Sequence, residues 1–332
     1  MKSNTMKALR LTRVSPESPT LAVSSFPIPQ LKPGYALVRI RYASIQPSDR
    51  LNAQGLFPFT RFPIVPGRDY SGTVVDIADK SEQSRSWIGK NVYGTSGSGL
   101  SFQIDGTHSQ YCLIPQAALI EMPASLSFIQ AATVGVPFTT AQICLQRAQV
   151  KESDVVLVLG ATGAVGSAAV QMARAMGCKQ VLTAARHGDL NPDIVLSSSN
   201  HAAVLEGIAA LTDGRGVDVV IDTVGDLALM SVAVEQLALK GRYSWITAPK
   251  GDVSKRLSFD VFQAYRKELS LLGCNSAAPP VEDTAEYLRS MSGWIDQGLL
   301  GVQKESEFRV VKLDDAIEAG YKKPGKVVID ME

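Results

Sequence analysis

Residues 154–186, DVVLVLGATGAVGSAAVQMARAMGCKQVLTAAR, decide the reading of the fold. Asp154 to Leu159 is a short apolar run rich in valine. It ends in Gly160-Ala161-Thr162-Gly163-Ala164-Val165-Gly166, so the glycines fall where a buried parallel strand turns into a helix. The helix is expected from about Val165 to Met176 and the next strand from Val181 to Ala185. In such a turn Gly163 lets the backbone approach a pyrophosphate, and Gly166 lets helix and strand pack closely. The N–H groups of the first turn and the helix dipole hold the phosphate charge. Ala161 stands where the usual pattern has its first glycine. Glycine-rich strand ends also occur as plain tight turns, but the strand, helix and second strand around this one favour a dinucleotide site.

The end of the second strand bears on which dinucleotide. About 20 residues past the glycines an NAD site carries an acidic side chain for the ribose 2′-hydroxyl. Here the chain reads Ala185-Arg186-His187, with no carboxylate. The planar fork of Arg186 suits a 2′-phosphate, so NADPH is the expected cofactor. The other reading of Arg186 is a solvated surface arginine. His187 is either a second group at the 2′-phosphate or an exposed loop histidine.

At 332 residues and 45% hydrophobic content the chain can bury a large core, and its length favours two domains. Lysine plus arginine number 33 against 32 aspartates and glutamates, so no strong field points to nucleic acid or a membrane surface. Cys112, Cys144, Cys178 and Cys274 are scattered without CxxC spacing, which fits reduced thiols in a cytoplasmic protein better than disulfides or a zinc knuckle. The basic N-terminus lacks the apolar run of a secretory signal, and no stretch reaches the ~18 consecutive apolar residues of a membrane helix. The three histidines, His108, His187 and His201, are too dispersed for a metal cluster.

Ahead of the glycine turn, residues 6–123 alternate short β-like runs with proline and glycine breaks: Lys7 to Thr12, Tyr35 to Ile45, Gly72 to Ile77, Lys90 to Tyr93 and Gln110 to Ile114. Gln46 to Arg50 and Pro66 to Gly72 read as polar loops on that scaffold, where binding groups tend to sit. Asp79 to Ser86 reads as a surface loop. Helical periodicity runs from Ser127 through Ala148. Beyond Arg186 the β/α alternation continues. Strands are expected at Asp193 to Ser197, Gly216 to Thr223, Gly241 to Thr247 and Leu269 to Cys274, and helices at His201 to Leu211, Leu227 to Leu239 and Phe259 to Lys267. This is the pattern of a doubly wound parallel sheet. Helices at Val281 to Gln297 and Asp314 to Tyr321 follow, and then Gly325 to Ile329, a strand expected to rejoin the first domain.

The ordered set of motifs resembles the medium-chain dehydrogenase/reductases, and within them the zinc-free quinone oxidoreductase-like branch. It comprises Gln46-Pro47-Ser48-Asp49, Pro66-Gly67-Arg68-Asp69-Tyr70-Ser71-Gly72, Gly106-Thr107-His108-Ser109-Gln110-Tyr111 leading to Pro115, Thr139-Thr140-Ala141, GATGAVG and Gly325-Lys326-Val327-Val328. The resemblance implies an α/β chain with a GroES-like β domain (1–123 and 276–332), a Rossmann doubly wound parallel-sheet domain (124–275), and an active-site cleft where they meet. Zinc-dependent relatives place a cysteine, a histidine and a second cysteine where this chain has Gln46, Arg68 and Val136, so the three ligands of a catalytic zinc are missing. The structural four-cysteine lobe is also absent.

Zinc-free members typically reduce a quinone or the C=C bond of an α,β-unsaturated carbonyl compound with NADPH. A developing enolate there needs hydrogen-bond donors and a proton, and no metal. Thr140, 21 residues before Ala161, matches the family threonine near the nicotinamide, although a helix cap would also suit it. Val224, Gly225, Thr247 and Ala248 fall at carboxyl ends of strands, where cofactors bind in such folds. Gln46 is a candidate donor to a substrate carbonyl, or a loop amide bonded to backbone. Ser48 is a candidate proton relay, and Asp49 a support of the loop. Tyr42, Phe57, Phe59, Phe62 and Trp245 are candidate walls for a small hydrophobic enone or quinone, or simple packing residues. After Gly55 the chain reads Leu56-Phe57-Pro58-Phe59, without the tyrosine proton donor of the family's enoyl-thioester reductases. A homodimer through the sixth strand, Leu269 to Cys274, completes the expectation. The rivals are a trans-acting enoyl reductase on a carrier-bound polyketide and a non-catalytic NADPH-binding protein.

Overall fold

The structure is a computed structural model and describes residues 4–13, 19–186, 191–196 and 201–332, apart from the side chains of 202–205. It separates into two compact units: Met1–Val136 with Ala277–Glu332, and Pro137–Ser276. In chain order the described strands are β1 (Thr5–Thr12), β2 (Thr20–Pro27), β3 (Tyr35–Ile45), β4 (Tyr70–Ile77), β5 (Asn91–Gly94), β6 (Tyr111–Pro115), β7 (Ile120–Glu121), β8 (Val155–Leu159), β9 (Gln180–Ala185), β10 (Ile194–Val195), β11 (Val217–Asp222), β12 (Leu237–Trp245), β13 (Ser270–Gly273), β14 (Arg309–Lys312) and β15 (Val327–Asp330).

The second unit is a six-stranded parallel sheet in the order β10-β9-β8-β11-β12-β13. β8 is buried along its whole length, which is why it reads as an unbroken apolar run rather than an alternating one. The chain winds outward from β8 through β9 to β10 and then from β11 through β12 to β13. The strand order therefore reverses between β8 and β11, the place where ligands bind in such sheets. The helix Ala164–Ala175 buries Ala168, Ala169, Val170, Met172 and Ala173, and three alanines on that face let it lie close to the strands. The helix expected over Leu227 to Leu239 stops at Glu235. β12 starts at Leu237, earlier than the expected Gly241, because Leu237 pairs with Val217 before the register shifts and Lys240 takes a positive φ of 60°.

In the first unit a seven-stranded sheet runs β14-β15-β3-β4-β5-β7, with β6 on β3, and β1 pairs with β2 apart from it. β15 lies antiparallel to β3, from Val327 opposite Ile45 to Asp330 opposite Tyr42, so the end of the chain joins its early strands. β2 was not expected. It is largely half-exposed and lacks a clear apolar alternation.

Gln46 to Arg50, read as a loop, instead opens the helix Pro47–Ala53. Proline stands at its first position, and the Asp49 carboxylate accepts the Gln46 N–H at 2.8 Å. Asp79 to Ser86 likewise contains a helical turn, Glu82–Arg85. Ser81 Oγ accepts the Ser84 N–H, and Asp79 accepts from Ser81 and Ser84. The helix expected over Asp314 to Tyr321 is a 3₁₀ turn, Leu313–Asp315, followed by a π turn, Ala316–Tyr321.

The helix Phe128–Arg147 is divided between the units at Pro137. Among the described residues it is long and apolar enough to cross a membrane, yet 78% of its most apolar window is buried inside the protein, as in a core helix.

Candidate functional site

In the second unit, Gly160 ends β8 with φ +79°, and a Cβ there would lie 2.5 Å from Thr223 Oγ1 and 3.1 Å from Val224 Cγ2. Thr223 donates to the Leu159 carbonyl through its N–H (3.1 Å) and its hydroxyl (2.8 Å), which ties the ends of β8 and β11 together. A Cβ on Gly166 would stand 2.1 Å from the Gly160 carbonyl oxygen. The first turn of the helix crosses the strand end at a distance that only glycine permits.

Gly163 differs: its nearest neighbour is that same oxygen at 3.3 Å, and it and Thr162 face solvent. It caps the helix and has no side chain with which to serve the free N–H groups. The first intrahelical bond runs from Ser167 N–H to the Gly163 carbonyl (2.8 Å), so the N–H groups of Ala164, Val165 and Gly166 have no acceptor within the helix. Ala161 is nearly buried, and its N–H is bonded to Ala184 O at 3.1 Å.

Asp222, the last residue of β11, organises the neighbouring turn. It is fully buried. Its Oδ1 accepts from the N–H groups of Val224 (2.7 Å) and Gly225 (3.1 Å), and its Oδ2 accepts from the Tyr243 hydroxyl (2.9 Å). Burial raises its pKa, and these three hydrogen bonds oppose the rise by favouring the carboxylate. Gly225 has φ +71°, and a Cβ on it would meet Thr247 Cγ2 at 2.7 Å. The structure thus brings Gly160, Val224, Gly225 and Thr247 together at the carboxyl edge of the sheet, with exposed Ala248 next in sequence.

Thr140 is buried on the helix Phe128–Arg147, and its hydroxyl has no hydrogen-bond partner among the described residues. Arg186 follows β9, is exposed, and forms no ion pair among the described residues. His187 lies outside the described residues. Trp245 packs on Tyr243, ring centroids 6.4 Å apart, and over Gly273 of β13, as part of the sheet's apolar core.

In the first unit, the residues standing at two of the zinc-ligand positions are bonded to one another's neighbours. Gln46 donates from Nε2 to Asp69 Oδ2 (2.8 Å) and to Ser44 Oγ (3.0 Å). Both amide N–H groups are therefore engaged. In the sequence Gln46 reads as a donor to a substrate carbonyl or as a loop amide bonded to backbone; its N–H groups go instead to neighbouring side chains, and its oxygen is unused by these bonds. The buried Arg68 guanidinium donates to Ser96 Oγ (2.7 Å) and to Ser48 Oγ (3.1 Å). A serine oxygen that accepts from an arginine keeps its own proton to donate, so Ser48 is the better placed donor of the two. The backbone N–H of Val136, the third ligand position, donates to both oxygens of Asp69 at 2.9 and 3.0 Å.

Burial pushes Asp49 up to about 7, against the pull of Arg68 and the Gln46 N–H, and its Oδ1 is buried without a partner among the described residues. Burial also raises Asp69 and lowers Arg68.

Arg68 also lies over the ring of Phe102 (5.5 Å), and Phe102 packs against Phe57 (5.2 Å) and Phe59 (5.2 Å). The polar cluster is continuous with an aromatic wall. Two of its three members were candidate pocket residues, while Phe102 was missed because it stands in an uninformative loop. Tyr42 sits instead against Arg41 on β3, and Phe62 against Arg13.

Residues 32–124 match the alcohol dehydrogenase GroES-like domain family, and residues 164–293 the zinc-binding dehydrogenase family. A zinc-type alcohol dehydrogenase-like protein of Schizosaccharomyces pombe is 44% identical over 319 residues, 96% of this chain and 93% of that one. The chain belongs to the medium-chain dehydrogenase/reductase superfamily.

Human quinone oxidoreductase, a further member, is 25% identical over 322 residues, 94% of this chain and 93% of its own. The fold matches the crystal structure of an alcohol dehydrogenase superfamily protein from Novosphingobium aromaticivorans, with TM-score 0.78 and 24% identity over 99% of this chain and all of that one. The chain is thus an oxidoreductase of the alcohol dehydrogenase and quinone oxidoreductase type, in a pyridine-nucleotide-binding family. Its second unit fits such a cofactor. It offers three N–H groups with no acceptor inside the helix, a glycine turn open to solvent and an orphaned buried hydroxyl at Thr140. Asp222 is the member of this site that the sequence concealed, because it closes a strand of almost unbroken apolar character.

Proposed function

We propose that the protein is a zinc-independent, NADPH-dependent reductase that transfers hydride to a quinone or to the C=C bond of an α,β-unsaturated carbonyl compound. The observation that carries this reading is the Gln46–Asp69–Arg68–Ser48 network. A buried cation and an amide whose N–H groups are both engaged stand at positions where zinc-dependent relatives have ligands. A guanidinium there repels a divalent cation and cannot ligate it. The cofactor preference rests on Arg186, exposed at the end of β9 with no acidic side chain in the Ala185-Arg186-His187 run.

NADPH, when bound, supplies the hydride. The N–H groups of Ala164, Val165 and Gly166 and the helix dipole bind its pyrophosphate. Arg186 pairs with the 2′-phosphate, and the Thr140 hydroxyl supplies a hydrogen bond from a buried position. The close packing of Gly225 on Thr247 keeps the carboxyl edge of β11 and β12 narrow. Ser48 donates its proton to the oxygen on which negative charge develops, and Arg68, bonded to the Ser48 oxygen, favours loss of that proton. Phe57, Phe59 and Phe102 form an apolar wall suited to a flat hydrophobic acceptor.

The same reading takes the protein as a cytoplasmic homodimer with no nucleic-acid or membrane partner. The near-zero net charge speaks against a nucleic-acid partner and the four free cysteines fit a reducing compartment; the dimer rests on the family resemblance alone, and gel filtration tests it. The functional test is cofactor oxidation with a panel of small quinones and enones. NADPH turnover well above NADH turnover, without added metal and unaffected by a chelator, is expected. Equal use of the two nucleotides refutes the Arg186 assignment, and stoichiometric zinc in the purified protein refutes the metal-free one.

A further inference from the structure

Tyr321 is tied at both ends to the part of the first unit that carries Ser48. Its hydroxyl lies 2.8 Å from His108 Nδ1, and His108 Nε2 lies 3.0 Å from the Ser44 carbonyl. A carbonyl only accepts, so Nε2 carries a hydrogen. His108 is fully buried, and burial lowers it to about 4, which leaves the ring neutral at physiological pH. Nδ1 is then a bare acceptor, and the Tyr321 hydroxyl is the donor to it. A Cβ on Gly67 would stand 2.5 Å from His108 Cδ2, so the ring is pinned against the run that supplies Arg68 and Asp69.

The backbone of the same tyrosine is held by Arg50, on the last turn of the helix Pro47–Ala53. Its guanidinium donates from Nε to the Tyr321 carbonyl (3.3 Å) and from Nη2 to the carbonyls of Gly320 (3.1 Å), Lys323 (3.1 Å) and Gly325 (3.3 Å), while Nη1 reaches back to that of Ile45 (3.4 Å). Gly320 and Tyr321 close the π turn, and a helix end leaves its carbonyls without N–H partners. One cation serves them. A Cβ on Gly320 would meet Ile45 Cδ1 at 2.6 Å, so the turn lies directly on the end of β3. Ser44 completes the circuit. Its carbonyl accepts from His108, and its hydroxyl oxygen accepts from Gln46 Nε2. The helix thus leaves β3 with its start fixed through Ser44 and Gln46 and its last turn fixed through Arg50.

We propose that Tyr321 and Arg50 are positioning residues for the reduction, which hold the helix Pro47–Ala53 on the end of β3 so that the Ser48 hydroxyl stays bonded to Arg68 and presented to the acceptor. The proposal rests on the reading of Ser48 as proton donor. Neither residue touches the reacting atoms, and both act through Ser48. The carboxyl-terminal segment thereby belongs to the catalytic machinery without supplying a group to the chemistry.

The test uses the full-length protein with Tyr321→Phe, which removes one oxygen, and Arg50→Lys, which keeps the charge and loses the fork. Amide hydrogen exchange of residues 47–53 is expected to quicken about tenfold in each, with β8 unchanged. With NADPH and the fastest acceptor of the quinone and enone panel, kcat is expected to fall about tenfold and KM to move about twofold or less. Ser48→Ala lowers kcat as well, and adding Tyr321→Phe to it is expected to cost nothing further, whereas a merely structural role multiplies the two losses. Unchanged exchange, multiplied losses, or full kcat in Tyr321→Phe and Arg50→Lys beside a loss in Ser48→Ala overturns the positioning proposal alone. Full kcat in Ser48→Ala refutes the donor reading and the proposal with it. Either positioning variant decides the matter where the other fails to fold.

Discussion

Gly163 and Gly166 sit three residues apart in one turn, and the structure gives them different tasks that two alanine substitutions separate. In Gly166→Ala the new Cβ meets the Gly160 carbonyl oxygen at 2.1 Å, the Gly160 carbonyl carbon at 2.7 Å and Ala161 Cα at 3.0 Å. All three are backbone atoms and cannot rotate away. Reaching ordinary contact requires the helix and strand to part by about 1 Å in a close-packed interior, and overpacking of this kind costs about 3 kcal/mol. The better helix propensity of alanine returns about 1 kcal/mol, leaving a net loss of about 2 kcal/mol.

In Gly163→Ala the backbone is already at φ −73° and ψ 165°, and the nearest atom lies at 3.3 Å. That variant is expected to lose about 1 kcal/mol or less, from the poorer cap. It nevertheless places a methyl group where a pyrophosphate must approach, so NADPH affinity is expected to fall about tenfold, or about 1.4 kcal/mol. Hydrogen exchange of the β8 amides reports the stability of the second unit by itself, and fluorescence titration reports NADPH affinity. Protection in Gly166→Ala within about 0.5 kcal/mol of wild type, or equal destabilisation by the two substitutions, refutes the reasoning.

Arg186→Ala is expected to weaken NADPH binding by about 1.5–3 kcal/mol, the worth of hydrogen bonds to charged groups, and to leave NADH binding unchanged; titration with both nucleotides checks this. Asp222→Ala strands the Val224 and Gly225 N–H groups and the buried Tyr243 hydroxyl. A loss of about 3 kcal/mol is expected on denaturation, against about 1 kcal/mol for Tyr243→Phe. Asp49 is raised from 3.8 to about 7 by burial, so its protonated form favours the folded state. That contribution is complete below pH 4 and is lost as pH rises through 7. Asp49→Asn is therefore expected to flatten the fall in stability between pH 4 and 7, as followed by melting temperature, and an unchanged slope counts against a raised Asp49.

What the sequence discloses and what it hides differ in physical kind. The glycine turn was legible because its geometry is local. A strand end, a helix start and their close crossing are dictated by residues within one short run, and Gly166 can be recognised without knowing any partner. A closing strand at Gly325 to Ile329 that rejoins the first domain was legible, but its pairing partner β3 was not, since nothing local specifies a partner so distant in the chain. Leu237 was misplaced because an apolar stretch that both follows a helix and starts a buried strand has no periodicity of its own.

The residues that reasoning missed act across the chain. Asp222 takes its role from Tyr243 on the next strand, and Phe102 from Arg68, whose own partners are Ser48 and Ser96. Gln46 shows the same effect in reverse. Alone it reads either as a donor to a substrate carbonyl or as a loop amide bonded to backbone, and only the neighbouring Asp69 and Ser44 reveal that both N–H groups are taken by side chains. Ser48 gains from that exchange, because a hydroxyl whose oxygen already accepts from a guanidinium has its proton left for a substrate. The chemistry of this cluster is therefore set less by which polar residues the loop carries than by which of their hydrogen atoms the fold leaves uncommitted.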